Sequence, residues 1–184
     1  MLCISKLQTK IGPMILAVHA LAGGVAGTLT SSWPIAIVFS LASHFILDAV
    51  PHWHYPVHAE KEKMGGGLRE LLLHVRKPKD LARYPIFRDM LSAGLDFFLG
   101  LALLSYLAQS FHPGDFWLIV GSGLVGILPD FLTLLYLLFP KNRYLAWFRK
   151  IHKKIHSRQR LDDRHLLGIS SQAIIVLLII WLLI

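Results

Sequence analysis

The chain has 184 residues, of which 54% are apolar and only 16% charged; its mean hydropathy is +0.54. A soluble domain carries about a quarter charged residues, so an ordinary water-soluble fold is excluded as the expectation. The net charge of +8 suggests nucleic acid, but all 19 Lys and Arg lie before residue 11 or within 52–89 and 140–165. The single cysteine, Cys3, excludes a disulfide framework and a thiolate metal site.

Apolar runs long enough to cross about 30 Å of hydrocarbon at about 1.5 Å per helical residue fall at 12–30, 33–51, 90–110, 116–139 and 166–184. The first follows Lys6 and Lys10 and carries His19, with Gly23 and Gly27 on the same face. Ala20-Leu21-Ala22 resembles a signal-peptidase site, but the apolar sequence continues past it for a full span, so the span is expected to be retained. The second span places Ser40, His44 and Asp48 on one face; Pro51 ends it, and His52 follows. After the basic stretch 52–89, the third span aligns Ser92, Asp96 and Gly100. A connection without Lys or Arg, 111–115, leads to the fourth, which aligns Ser122, Gly126 and Asp130 and contains Pro129. The second basic stretch, 140–165, holds an amphipathic helix near 141–156, with Trp147, Phe148, Ile151 and Ile155 suited to a membrane surface. It also carries His152 and His156 one turn apart. The last span closes the chain.

These elements predict an all-α fold: one integral membrane domain over 1–184, a polytopic bundle of about five transmembrane helices with one amphipathic interfacial helix. The positive-inside rule then places the N-terminus and both basic loops in the cytoplasm, in a multi-pass protein of a cytoplasmic (inner) membrane. The basic loops meet anionic headgroups, which makes membrane lipid the expected partner and accounts for the charge without nucleic acid. The oligomeric state is not fixed by the sequence. Trp33, Trp53, Trp117, Trp147 and Trp181 mostly flank the spans, as an aromatic belt does.

The chemistry lies in the ionisable residues inside the spans. His19, His44, Asp48, Asp96 and Asp130 all fall in the halves of their spans nearer the basic loops, and no Lys or Arg shares those spans. Ionisable groups in hydrocarbon are costly and mark sites that bind, conduct or catalyse. Each sits in a stripe of small residues, which lets helices approach closely, so four helices are expected to converge on one polar site. A divalent metal compensates such a group: zinc first, with manganese or iron also suited to His and Asp ligands. The candidate ligands are His19, His44, Asp48, His52, Asp130, His152 and His156, with Asp48 or Asp96 as a candidate catalytic carboxylate. A phosphate-binding loop and a nucleophile elbow are absent from the sequence. Haem held between His19 and His44 is disfavoured by the three acids nearby.

SHFILDAVPH at 43–52 resembles the Ser-His-x-x-x-Asp segment of a bacterial inner-membrane family of metal-dependent hydrolases of the LexA-regulated type. GILPDF at 126–131 is similar to that family's Leu-Pro-Asp segment, with Leu132 where a second Asp is usual. His152 with His156, and His19 followed by Gly23 and Gly24, are also similar. The resemblance implies metal ligation by His44, Asp48 and Asp130, joined by His19, His152 and His156, and hydrolysis of a phosphoester or lipid-like substrate near the cytoplasmic face. Ion- or proton-coupled transport, or metal binding without catalysis, is the alternative.

Overall fold

The computed structural model describes residues 16–50, 85–155 and 165–184. Six helices and a single 3-10 turn account for almost all of them, and no strand occurs among the described residues. The helices are α1 (Leu16–Thr28), α2 (Trp33–Ala49), α3 (Pro85–Phe111), α4 (Phe116–Leu138), α5 (Arg143–Ile155) and α6 (His165–Leu183). The turn, Pro113–Asp115, joins α3 to α4.

α1 is the central helix, buried along almost its whole length and packed on α2, α3, α4 and α6. Its glycines make this position possible. A Cβ on Gly23 would lie 2.6 Å from the Ser122 carbonyl oxygen, and one on Gly126 would lie 2.6 Å from the His19 carbonyl oxygen. At these two positions backbone faces backbone, and only glycine permits the approach. Farther along the same seam, a Cβ on Gly27 would meet the Ile119 Cα at 2.8 Å. These pairings run in opposite directions along the two chains, so α1 and α4 are antiparallel. Gly100 packs on Ala17 in the same way, at 2.5 Å from the Ala17 Cα to an added Cβ, and Gly24 faces Leu104, so α1 and α3 run parallel. α2 returns antiparallel to α1, with the Ser40 hydroxyl donating to the Gly23 carbonyl at 3.1 Å.

The start of α1, the end of α2 and the second half of α4 therefore share one end of the bundle. That is the end at which segments 51–84 and 139–142 attach to the helices. The opposite end is filled by an apolar cluster that includes Leu21, Leu104, Leu107, Ile119, Val120, Ile179 and Leu183.

Two stretches are long and apolar enough to cross a membrane, Phe87–Phe111 and Pro113–Tyr136. The remaining apolar helices are shorter, Leu16–Thr28, Trp33–Ala49 and Ser170–Leu183. The all-helical architecture is as expected, while five full-length spans exceed the two that meet this length. The first expected span begins at residue 12, so its start lies outside the described residues.

Candidate metal centre

The polar end of the bundle is built from five side chains on four helices: His19 of α1, His44 and Asp48 of α2, Asp130 of α4 and His152 of α5. His19, His44 and Asp48 are fully buried, and Asp130 and His152 are each 3% exposed. Two overlapping groups share His44: His19 with His44 and Asp130, and His44 with Asp48 and His152. Within each group the potential ligand atoms lie within 4.8 Å of one another, so the buried His and Asp side chains could hold a metal ion.

The hydrogen bonds around the cluster fix which ring atoms face inward. His44 Nδ1 lies 2.7 Å from the Gly126 carbonyl oxygen. A carbonyl only accepts, so Nδ1 donates, and a neutral His44 presents the lone pair of Nε2 to the cluster. Thr133 does the same for His152 through one intermediate. Its hydroxyl donates to the Pro129 carbonyl at 3.2 Å, which leaves the oxygen to accept from His152 Nδ1 at 2.9 Å. His152 Nε2 then also faces inward as an acceptor.

The inward atoms crowd together. His44 Nε2 and His152 Nε2 are 3.1 Å apart. Asp48 Oδ2 is 2.6 Å from His152 Nε2 and 3.2 Å from His44 Nε2. His19 Nε2 is 3.4 Å from Asp48 Oδ1 and 3.7 Å from Asp130 Oδ2, and His152 Nε2 is 3.9 Å from Asp130 Oδ1. Tetrahedral ligands at about 2.0–2.1 Å from zinc are themselves about 3.3 Å apart, and the observed separations bracket that value. Both ring nitrogens of His19 and the Oδ2 of Asp130 are buried without a hydrogen-bond partner among the described residues. Buried polar atoms are ordinarily satisfied; among the described residues these have only ion-pair neighbours, His19 Nε2 beside Asp48 Oδ1 and Asp130 Oδ2, and are open to a further partner.

Among the sequence candidates, His19, His44, Asp48, Asp130 and His152 are brought together. His52 and His156 lie outside the described residues. Asp96 is not part of either group. Its Oδ2 instead accepts the Ala17 N–H at 3.2 Å, in the first turn of the described α1, where backbone donors lack helical partners.

Two participants escaped the sequence reading: Thr133, and the Gly126 backbone carbonyl. Thr133 lies one turn after Pro129, a spacing at which a threonine hydroxyl reaches back to the i−4 carbonyl. That spacing was the available signal. Comparison of the chain with protein-family models, with curated proteins and with solved structures finds no match to any of them.

Proposed function

We propose that this protein is an integral membrane metalloprotein whose His/Asp centre holds one divalent ion, zinc in the first place. The observation that carries the reading is the convergence of three acceptors, His44 Nε2, His152 Nε2 and Asp48 Oδ2, on one buried point. A proton bridges two acceptors, whereas a metal ion satisfies three or more. One ion accounts for the geometry better than two, because His44 has its other nitrogen committed to Gly126 and offers a single lone pair to both groups.

The membrane setting is supported by the outward faces. Phe98, Leu99, Tyr106, Trp117, Leu177 and Trp181 are each 66% exposed or more, an apolar exterior that soluble monomers rarely carry. The polar groups face inward instead, as in a bundle surrounded by lipid. The placement in a cytoplasmic membrane, with the N-terminus inside, follows from the charge distribution.

The chemistry that fits this centre is metal-dependent hydrolysis of a phosphoester or lipid-like substrate. Two histidines and one carboxylate form a ligand set of the catalytic type, three protein ligands with a further position for water or substrate. A divalent ion there would supply an activated water and polarise a phosphoryl or carbonyl oxygen. His44, His152 and Asp48 would hold the ion, with Asp130 and His19 beside them. Asp130 would then take a proton from a water at the site, and His19 would help to orient that water. With Asp48 a ligand and Asp96 occupied at α1, Asp130 is the better candidate for general base.

The deciding experiment is the metal content of the detergent-purified full-length protein, measured by plasma mass spectrometry beside a His44→Ala/Asp48→Ala variant. Near-stoichiometric zinc, manganese or iron, lost in a variant that retains its helical circular dichroism, supports the centre. A parent protein that stays metal-free after reconstitution overturns it. Hydrolysis is tested separately on phosphoesters and phospholipids, where activity that persists in His44→Ala would sink the catalytic assignment. A closed, non-catalytic site is the second reading, favoured by the near-complete burial of all five residues. Cobalt substitution separates the two. An open position shifts the visible spectrum when phosphate is added, and a closed one does not.

A further inference from the structure

Four of the five clustered residues come from the helices of the bundle core, whereas His152 comes from α5, which packs on α4 and touches α2. α5 has three distinct faces. Its inner face carries the buried His152 together with the half-buried Leu145, Phe148 and Arg149. Phe148 sits beside the His152 ring, with centroids 6.0 Å apart, and Arg149 lies over the Tyr136 ring at 5.0 Å. A second face is apolar, and none of the described residues covers it. It consists of Tyr144, Trp147, Ile151 and Ile155, with Tyr144 68% and Trp147 63% exposed. A third face, next to it, exposes Arg143, Lys150 and Lys154. An aromatic and aliphatic stripe flanked by exposed cations is the pattern of a helix lying in the headgroup region, and the cations select an anionic surface.

We infer that α5 docks on an anionic lipid surface through Tyr144, Trp147, Ile151 and Ile155, and that this docking holds His152 in the metal centre. The inference rests on the metal reading above. Lipid composition thereby controls the affinity of the site. In the docked state His152 joins His44 and Asp48, and when α5 lifts away the centre loses one of its three closest ligands. The apparent affinity then scales with the docked fraction of molecules. Two observations converge on this coupling: the stripe that the described residues leave exposed, and the placement of a cluster residue on the same helix, one turn-face away. Because Thr133 of α4 accepts from His152 Nδ1, the helix has a defined seat when docked.

The test uses the full-length protein in nanodiscs of neutral phosphatidylcholine, and in nanodiscs containing a third phosphatidylglycerol. Zinc affinity is measured in both by competition with a chromophoric chelator. Zinc is expected to bind about tenfold more tightly in the anionic discs, matching a docked fraction that rises from about a tenth to nearly one. Trp147→Glu with Ile151→Glu alters only exposed positions, and should reduce the affinity in anionic discs to the neutral-disc value. His152→Ala should bind weakly in both lipids without a difference between them. Equal zinc affinity in the two lipids, or full affinity in the Glu variant, overturns the inference while leaving the centre standing, provided His44→Ala still abolishes binding. Loss of self-association by the Glu variant, with no lipid effect, would assign the stripe to a protein contact and likewise overturn it. Absence of zinc binding in every lipid overturns the metal reading itself.

Discussion

Two of the three imidazoles at the centre have one nitrogen committed to an oxygen outside it, His44 to the Gly126 carbonyl and His152 to Thr133. Such outer contacts fix the tautomer and the ring angle of a metal-binding histidine, and removing one typically weakens metal affinity about 10- to 100-fold. Thr133 is the one that mutation can reach, since its role depends on a hydroxyl that donates to Pro129 and accepts from His152. Thr133→Val keeps the shape and deletes the acceptor. Zinc affinity by chelator competition should fall within that range, and Thr133→Ser should restore it. An unchanged affinity in Thr133→Val would mean that His152 is oriented by something else. The same pairing shows a limit of sequence reading. His152 is visible in the chain as half of a pair at helical spacing, but a threonine in an apolar run carries no mark that a histidine 19 residues later will bind it.

At the scale of helices, small residues decide whether the ligands meet at all. The stripes His19–Gly23–Gly27 and Ser122–Gly126–Asp130 are legible in sequence because residues four apart share a helical face. In the structure they face each other across the α1–α4 seam, with the His19 carbonyl against Gly126 and the Ser122 carbonyl against Gly23. What sequence left open is which stripe pairs with which, because any two small faces are compatible until the whole bundle is assembled. The amphipathic segment is another instance. Trp147, Phe148, Ile151 and Ile155 read as a single apolar face, yet Phe148 turns towards His152 while the other three remain exposed. The boundary between those faces depends on where α4 lies, which the local pattern does not contain. The seam makes a direct prediction. Gly126→Val adds bulk where the nearest backbone atom is already 2.6 Å from a Cβ, an overpacking that costs about 1–3 kcal/mol. Thermal melting in detergent should drop and bound metal should be lost together, because α1 carries His19 away from the site as it shifts. Gly94→Ala, at a position with nothing within 4 Å of the added Cβ, should leave both unchanged.

For the whole molecule, hydropathy and charge predict topology, while the packed helices supply its internal constraint. The described α1 and α2 have 13 and 17 residues, or about 20 and 26 Å of helix, shorter than the about 30 Å of hydrocarbon they are expected to cross. Their antiparallel packing nevertheless places the α1–α2 connection at the same end of the bundle as the turn Pro113–Asp115. The His/Asp cluster and the end of α4 lie towards the other end. Asp130 and Ile119 of the apolar cluster are 11 residues apart on α4, or about 16 Å along its axis. If the bundle spans a membrane with the basic segments inside, Ser31 and Gly114 must emerge on the outer side and Lys141 on the inner side. Cys3 is the sole cysteine, so a Cys3→Ser background gives a clean chain for single-cysteine labelling. A membrane-impermeant maleimide applied to intact cells should modify Ser31→Cys and Gly114→Cys, and should modify Lys141→Cys only after permeabilisation. Labelling of Ser31→Cys and Gly114→Cys from opposite sides would break the parallel pairing of α1 with α3 and the antiparallel pairing of α1 with α4 as a spanning arrangement. Labelling of Lys141→Cys from outside, with Ser31→Cys and Gly114→Cys protected until permeabilisation, would place the basic segments on the outer surface, where anionic cytoplasmic headgroups are not available to α5, and the surface that controls His152 would then have to be sought on that side.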